Sequence, residues 1–140
     1  MITLRPATME DAKFLLEIKN DKATRMNSII TDEIIKWEDH IVWLEKRLES
    51  PGMNVIELNG DPVGDMRFDT IKGGHEISIR LHKDFRGQGI ATKAISRALG
   101  KLTAYIVEGN IPSMRTFIGN GFRPVKYIKG ERINYYKFEN

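Results

Sequence analysis

Arg86-Gly87-Gln88-Gly89-Ile90-Ala91 is the stretch that decides how this 140-residue chain is read. Before it runs Glu76–Leu81, in which Ile77, Ile79 and Leu81 alternate onto one face, as in a strand. After it Ile90, Ala91, Ala94, Ile95, Ala98 and Leu99 recur at helical spacing, with Gly100 placed to end the helix. A strand-to-helix junction leaves backbone N–H groups without intrahelical partners, and these can receive phosphate oxygens. Gly87 and Gly89 let the backbone approach such a ligand closely. The stretch is not a Walker loop, for no Gly-Lys-Ser/Thr follows, and it lacks the Gly-x-Gly-x-x-Gly spacing of a dinucleotide fingerprint. Two glycines alone suit a purely structural connection equally well, so the surroundings decide.

Outward from this junction the hydrophobic period changes several times. Residues 2–5 read as a short strand, and Thr8 with Asp11 forms a capping-box pair ahead of Ala12, Leu15, Leu16 and Lys19 at helical spacing. That helix should fade near Asn20-Asp21. A second is expected from Thr31 as N-cap, with Asp32 and Glu33 in its first turn. Ile34, Trp37, Ile41, Leu44 and Leu48 form its apolar stripe, and Ser50-Pro51-Gly52 stops it. Met53–Leu58 and Pro62–Ile71 read as a hairpin about Asn59-Gly60-Asp61, followed by a turn at Gly73-Gly74. Leu102–Val107 is strand-like, Pro112 opens a short helix to about Asn120, and Phe122–Ile128 with Glu131–Phe138 closes as a hairpin. The order β-α-α-β-β-β-α-β-α-β-β predicts a mixed α/β (α+β) layer fold in one domain over residues 1–140, without repeats or linkers.

Composition narrows the function classes. Hydrophobic residues make up 41% and charged residues 29%, values typical of a globular chain. No cysteine is present, which excludes a disulfide framework, a thiolate nucleophile and a Cys-ligated metal. His40, His75 and His82 are too far apart in sequence for a helical pair of metal ligands, so no metal is expected. No apolar run is long enough to span a bilayer, and Met1–Arg5 lacks the apolar core of a signal peptide, so a cytoplasmic protein is expected. Charge is uneven along the chain. Residues 1–71 carry nine Lys and Arg against fourteen Asp and Glu, and residues 72–140 carry thirteen against five. A basic half suits a polyanionic ligand, although a solvated surface would also account for it.

The glycine stretch resembles the Gln/Arg-x-x-Gly-x-Gly/Ala signature of the GNAT superfamily of acyl-CoA N-acyltransferases, with Arg86, Gly89 and Ala91 at its fixed positions. Nineteen residues past Ala91, Asn110-Ile111-Pro112-Ser113, then Phe117 and Gly121-Phe122, is similar to that family's second signature. The two signatures lie in register on the expected elements, and the resemblance covers essentially the whole chain. It implies a mixed, mostly antiparallel sheet of six to seven strands flanked by about four helices, and acetyl-CoA as co-substrate. In that family the pantetheine arm pairs with the strand before the glycine loop, here Ser78, Ile79, Arg80 and Leu81. The pyrophosphate rests on the N–H groups of Arg86, Gly87, Gln88, Gly89, Ile90 and Ala91. Asn110 would bond the pantetheine, with Ser113 close by. A base must take a proton from the acceptor ammonium. Glu76 is the nearest match to a carboxylate on the fourth strand, Tyr105 stands where other members place one on the fifth, and Glu108 is a further candidate. The usual general acid, a Tyr seven residues after the Asn, is Phe117 here. A thiol pKa near ~8.5 makes thiolate a tolerable leaving group without it.

The N-terminal half should choose the acceptor. Lys19-Asn20, Arg25, Asn27, the His40-x-x-Trp43 pair and Met66-Arg67-Phe68-Asp69 resemble the branch of bacterial nucleotide-amino-sugar N-acetyltransferases of pseudaminic acid pathway type. That resemblance implies Asn20, Arg25, Asn27, His40, Trp43 and Arg67 as substrate-binding residues, although His and Trp at helical spacing also serve as core filler. It implies a small-molecule amine as partner, with no nucleic acid or membrane, and a homodimer is compatible with an open sheet edge. Alternatives are acetylation of a protein N-terminus or ribosomal protein, and a non-catalytic acetyl-CoA-binding module. A peptide acceptor requires an open groove between the first helices and the last hairpin, whereas an amino sugar requires a closed, polar pocket.

Overall fold

The structure, a computed structural model, describes residues 1–140 and places seven strands in one sheet. Strands β1 (Ile2–Pro6), β2 (Met53–Leu58), β3 (Asp61–Ile71) and β4 (Gly74–Leu81) pair antiparallel in sequence order. β5 (Leu102–Val107) joins β4 in parallel, and β7 (Tyr135–Glu139) inserts between β5 and β6 (Arg123–Ile128). The helices are α1 (Ala12–Asn20), α2 (Lys22–Met26), α3 (Trp37–Arg47), α4 (Ile90–Ile95) and α5 (Ile111–Gly119). The mixed, mostly antiparallel sheet agrees with the expectation from sequence. There are five helices rather than about four, because Asp21 caps an extra short one by accepting a hydrogen bond from the Thr24 N–H at 3.2 Å.

Strand alternation sends side chains to two apolar layers. Met53 and Val55 pack with Ala12, Leu15 and Leu44 beneath α1 and α3. On the opposite face Ile56, Met66, Ile77, Ala104, Ile106 and Phe138 pack with Ile90, Ala94 and Ile95 of α4 and Phe117 of α5. Each fully buried aliphatic side chain contributes roughly 1.5–3 kcal/mol, so these layers hold the strands firmly. Among the strands the first layer takes its apolar side chains from β2 only, leaving the same face of β3 and β4 to polar side chains.

The β4–β5 pair is short. His75 stands opposite Leu102 and Glu76 opposite Thr103, after which the strands part. Gly74 makes the contact possible, since a Cβ there would stand 2.4 Å from the Lys101 carbonyl oxygen. Beyond Glu76 the β5-facing edge of Ile77–Leu81 has no strand partner.

Two elements depart from expectation for identifiable reasons. The second helix begins at Trp37, not after Thr31. Asn20 donates to the Ile35 carbonyl at 2.9 Å and accepts from the Ile35 N–H at 2.8 Å, which keeps that residue outside the helical ladder. Thr31 caps only a local turn, its hydroxyl accepting from the Glu33 N–H, and Glu38 and Asp39 occupy the first turn instead of Asp32 and Glu33. Ile34, 67% exposed, is therefore not part of the stripe. The helix after the glycine stretch ends at Ile95 rather than Leu99. The Arg97 and Ala98 N–H groups bond three residues back, to Ala94 and Ile95, which tightens the chain out of the α-helix. Leu99 is 87% exposed instead of facing inward. The final strand likewise starts at Tyr135 instead of Glu131, leaving residues 129–134 as a loop.

Candidate active site

The parting of β4 from β5 makes a slot that leads from the unpaired edge of Ile77–Leu81 to the glycine stretch. No backbone N–H from Arg86 to Ala91 donates to a main-chain carbonyl. Gly87 and Gly89 have φ of 76° and 78°, a left-handed conformation that favours glycine, and a Cβ at either meets nothing within 4 Å. These features make an open cradle of free N–H donors, which fits the phosphates of a CoA-type ligand. The side chain of Arg86 turns away from the cradle. Its guanidinium donates to Asp21 at 2.8 Å, the Leu81 carbonyl at 3.0 Å and the Thr24 hydroxyl at 3.3 Å, tying the loop to α2.

On the far side of the slot, Asn110 caps α5 by accepting from the Ser113 N–H at 3.4 Å, and its amide nitrogen makes no bond within the protein. Phe117 is 3% exposed and lies edge-on to Phe122, with ring centroids 5.0 Å apart. Its ring belongs to the apolar core, so no hydroxyl stands at that position.

Ile79 and Leu81 pack on the core, which turns Glu76, Ser78 and Arg80 toward the α1–α3 face. Across β3 they stand opposite Asp69, Arg67 and Asp65. Asp65, fully buried, receives the Arg80 guanidinium through two bonds of 3.1 and 2.6 Å. Asp69 is paired with Arg47 of α3 at 3.1 Å. The Arg67 side chain makes no hydrogen bond to the protein, and its Nε is buried without a partner. Above this floor Lys19 Nζ sits 3.0 Å over the Trp43 ring and 3.4 Å from His40 Nδ1. His40 is fully buried and its Nε2 donates to the Ala12 carbonyl at 2.8 Å, which leaves Nδ1 as the acceptor facing Lys19. Burial, with Lys19 and Arg80 adding to it, lowers the pKa of His40 against the pull of the Ala12 bond, so the ring is neutral there. Burial, with Arg80 and Arg67 adding to it, takes Lys19 down to about 7.

Glu76 stands at the last paired position before the strands part. Burial and the charge of Asp69 raise its carboxyl above the usual range, against the opposing pull of Arg67. Tyr105 shares this face of the sheet, two residues along β5 from Thr103, with its ring edge-on to Tyr135. Glu108 is five residues along, about 16 Å at strand rise. It accepts from the Tyr127 hydroxyl at 3.1 Å, so Glu76 and Tyr105 share one face of the sheet on either side of the parting strands and Glu108 lies apart.

The remaining acceptor candidates frame the chamber. Asn20 spends both ends of its amide on Ile35. Arg25 donates to the Asn20 and Asp32 carbonyls and Asn27 to the Ala23 carbonyl, so all three act within the wall. The roof comes from the last hairpin. Arg132 donates to the carbonyls of Arg25, Met26 and Ser28 and pairs with Asp32 at 3.6 Å. Lys19, Asp65 and Arg132 were not singled out as site residues from sequence. A signal for Asp65 exists in the charged alternation Asp65, Arg67, Asp69 between Gly64, Met66 and Phe68, whereas nothing local marks Arg132.

A slot beside a parted parallel strand pair, ending in a cradle of free N–H groups, has unpaired backbone donors at both ends that can receive an amide-rich, phosphate-bearing ligand. The chain matches the model of the acetyltransferase (GNAT) domain over residues 1–123, and it belongs to that family. Over 105 residues it is 30% identical to the L-amino acid N-acyltransferase MnaT of Escherichia coli (strain K12), covering 70% of this chain and 61% of that enzyme. The match thus spans about three fifths of the length of that relative. Its fold is that of the spermidine N-acetyltransferase from Vibrio cholerae in complex with CoA and spermine, with TM-score 0.85, 16% identity, and 99% and 94% of the two chains covered. Ribosomal-protein-alanine N-acetyltransferase from Brucella melitensis superposes with TM-score 0.77 and 24% identity, over 99% and 98% of the chains. No helix is long and apolar enough to cross a membrane.

Proposed function

We propose that this protein transfers the acetyl group of acetyl-CoA to a primary amine, and that the acceptor is a nucleotide-linked amino sugar. The observation that carries the acceptor class is the Arg132 bridge. A peptide needs the gap between the first helices and the last hairpin to be open, and Arg132 closes it onto Arg25, Met26, Ser28 and Asp32. What lies behind the bridge is a face of charged and polar side chains, Glu76, Ser78 and Arg80 opposite Asp69, Arg67 and Asp65, which suits a sugar.

Within it, Glu76 takes the proton of the acceptor ammonium, directly or through a water, and the freed amine attacks the thioester carbonyl carbon. Backbone N–H groups on the unpaired edge of Ile77–Leu81 receive the charge that develops on the carbonyl oxygen. The C–S bond breaks and the sulfur departs as thiolate, for which Phe117 supplies no proton, while the second proton of the acetylated nitrogen passes to solvent. Gly87, Gly89 and the cradle hold the phosphates, and Asn110 offers its free amide to the pantetheine.

Release of free CoA from acetyl-CoA tests this reading, measured with UDP-, GDP- and CMP-linked amino sugars beside N-terminal peptides. Turnover on an amino sugar that is lost in Gly89→Trp supports it. Turnover on peptides alone moves the protein to the ribosomal-protein or N-terminal class. Tight CoA binding with no turnover on any amine makes it a binding module.

A further inference from the structure

The charges on the chamber floor do not cancel. Arg80 is satisfied by Asp65 and Arg47 by Asp69. Lys19, Arg67 and Glu76 remain, two cations against one carboxyl, and none of them forms an ion pair. The polar partner of Lys19 is a neutral histidine nitrogen, and the Arg67 Nε is the one buried side-chain nitrogen or oxygen in the chain with no partner. Both side chains are half-buried; a charge withdrawn from water is ordinarily paired, and a buried donor left unmade, as the Arg67 Nε is, is costly. Both look onto the same face of the sheet, Arg67 opposite Ser78 on β4 and Lys19 over the Trp43 ring of α3. The neighbours hold both in place. Trp43 and His40 fix Lys19 and still leave it an N–H to give, while Arg67 offers the planar edge that matches two oxygens at once.

We propose that Lys19 and Arg67 together anchor an oxyanion of the acceptor, a phosphate or a carboxylate carried near the amine that receives the acetyl group. The inference rests on the chamber being the acceptor site. It separates this chain from acetyltransferases of polyamines, since a polycation would meet the unpaired Arg67 guanidinium and the Lys19 amine here. A nucleotide-linked sugar brings the anion as pyrophosphate, an amino acid as carboxylate, and the chamber chemistry serves both.

Trp43 touches Lys19 and is one of only two tryptophans. In a Trp37→Phe background it becomes the sole indole reporter. With CoA saturating the cradle, Trp43 fluorescence is titrated with UDP, L-glutamate and spermidine. UDP or L-glutamate should give a saturable change, and the stronger of the two identifies phosphate or carboxylate as the anchored group. Arg67→Gln and Lys19→Met should each weaken that binding by at least about tenfold, and Arg67→Lys should recover part of it. Melting curves of the CoA-loaded variants show whether each is folded. Absence of binding by either anion, equal binding in folded Arg67→Gln, or binding of spermidine as tight as the anions overturns the proposal. Anion binding that depends on Arg67, with no acetyl turnover on any amine, leaves the anchor standing and removes the enzymatic reading. Amino-sugar turnover unaffected by Arg67→Gln does the reverse.

Discussion

Asp69 and Glu76 face each other across β3 and β4, so two carboxylates share one patch of sheet just where β4 and β5 part. Arg47 pairs with Asp69 and leaves Glu76 without a bonded cation. Burial first, then the charge of Asp69, keeps the Glu76 carboxyl above its usual range. A general base works only when ionised, so the acid limb of the pH–rate profile should rise through this elevated pKa. Removing the neighbouring charge in Asp69→Asn should move that limb to lower pH, with kcat on the plateau changing only a few-fold. Glu76→Gln should lower kcat by about 10²–10⁴-fold. An unchanged kcat would take Glu76 out of the proton path and turn attention to Tyr105.

Arg132 holds the roof through carbonyls about 104 positions away in sequence. In Arg132→Gln the gap toward the last hairpin opens. Hydrogen exchange at residues 25–32 should rise, and KM for the acceptor should increase by about 5–10-fold while KM for acetyl-CoA holds. The melting temperature should fall little, because the bonds lie in exposed positions where each contributes about 1 kcal/mol or less. Equal loss for both substrates would mean that the hairpin supports the whole site and not the acceptor side alone.

Most of this fold was legible because it is written in local periodicity. Ile77, Ile79 and Leu81 marked β4, the Asn59-Gly60 turn marked the β2–β3 hairpin, and the two signatures located the cradle and α5. What escaped was non-local. The delayed start of α3 depends on an Asn20–Ile35 contact between residues 15 apart, and the roof depends on one arginine reaching back from the C-terminal hairpin. Asn20, Arg25 and Asn27 stood out by residue type, yet their side chains are spent within the wall, while Lys19 gained its importance only once α3 brought Trp43 and His40 against it.

Asn20 is where these two roles can be separated. Asn20→Ala removes both bonds to Ile35 and leaves a part-buried N–H and C=O unmet, at a cost of about 2 kcal/mol. The melting temperature should drop accordingly, and exchange at the Ile35 amide should rise. An unchanged melting temperature with a higher acceptor KM would instead make Asn20 a substrate ligand.

Phe117 stands seven residues after Asn110, where the resemblance implies a Tyr as acid, and is packed against Phe122. Phe117→Tyr adds a hydroxyl at the edge of an apolar core, where it must find a partner or cost about 1–3 kcal/mol. Turnover should stay within a few-fold of wild type. A large gain would show that thiolate departure had been limited by the missing proton.

Lys19 supplies a test in which the sign is fixed by linkage. Its pKa is about 7 when folded, lowered first by burial and then by Arg80 and Arg67 and opposed by Asp65, against 10.5 in the unfolded chain. Below pH 7 both states carry the charge and the native state bears its full burial cost. Between about pH 7 and 10.5 the unfolded chain binds the extra proton, so native stability rises with pH across that window. Lys19→Met removes the titration, and its stability should exceed wild type at pH 6 by on the order of 2 kcal/mol, allowing for solvent screening of a partly exposed ammonium. The advantage should shrink steadily above pH 7 and be gone near pH 10, as read from urea midpoints at each pH. A difference that does not vary with pH would show that the Trp43 face and His40 Nδ1 keep the ammonium charged throughout. In that case the anchor for an anion would be permanent and would not depend on pH.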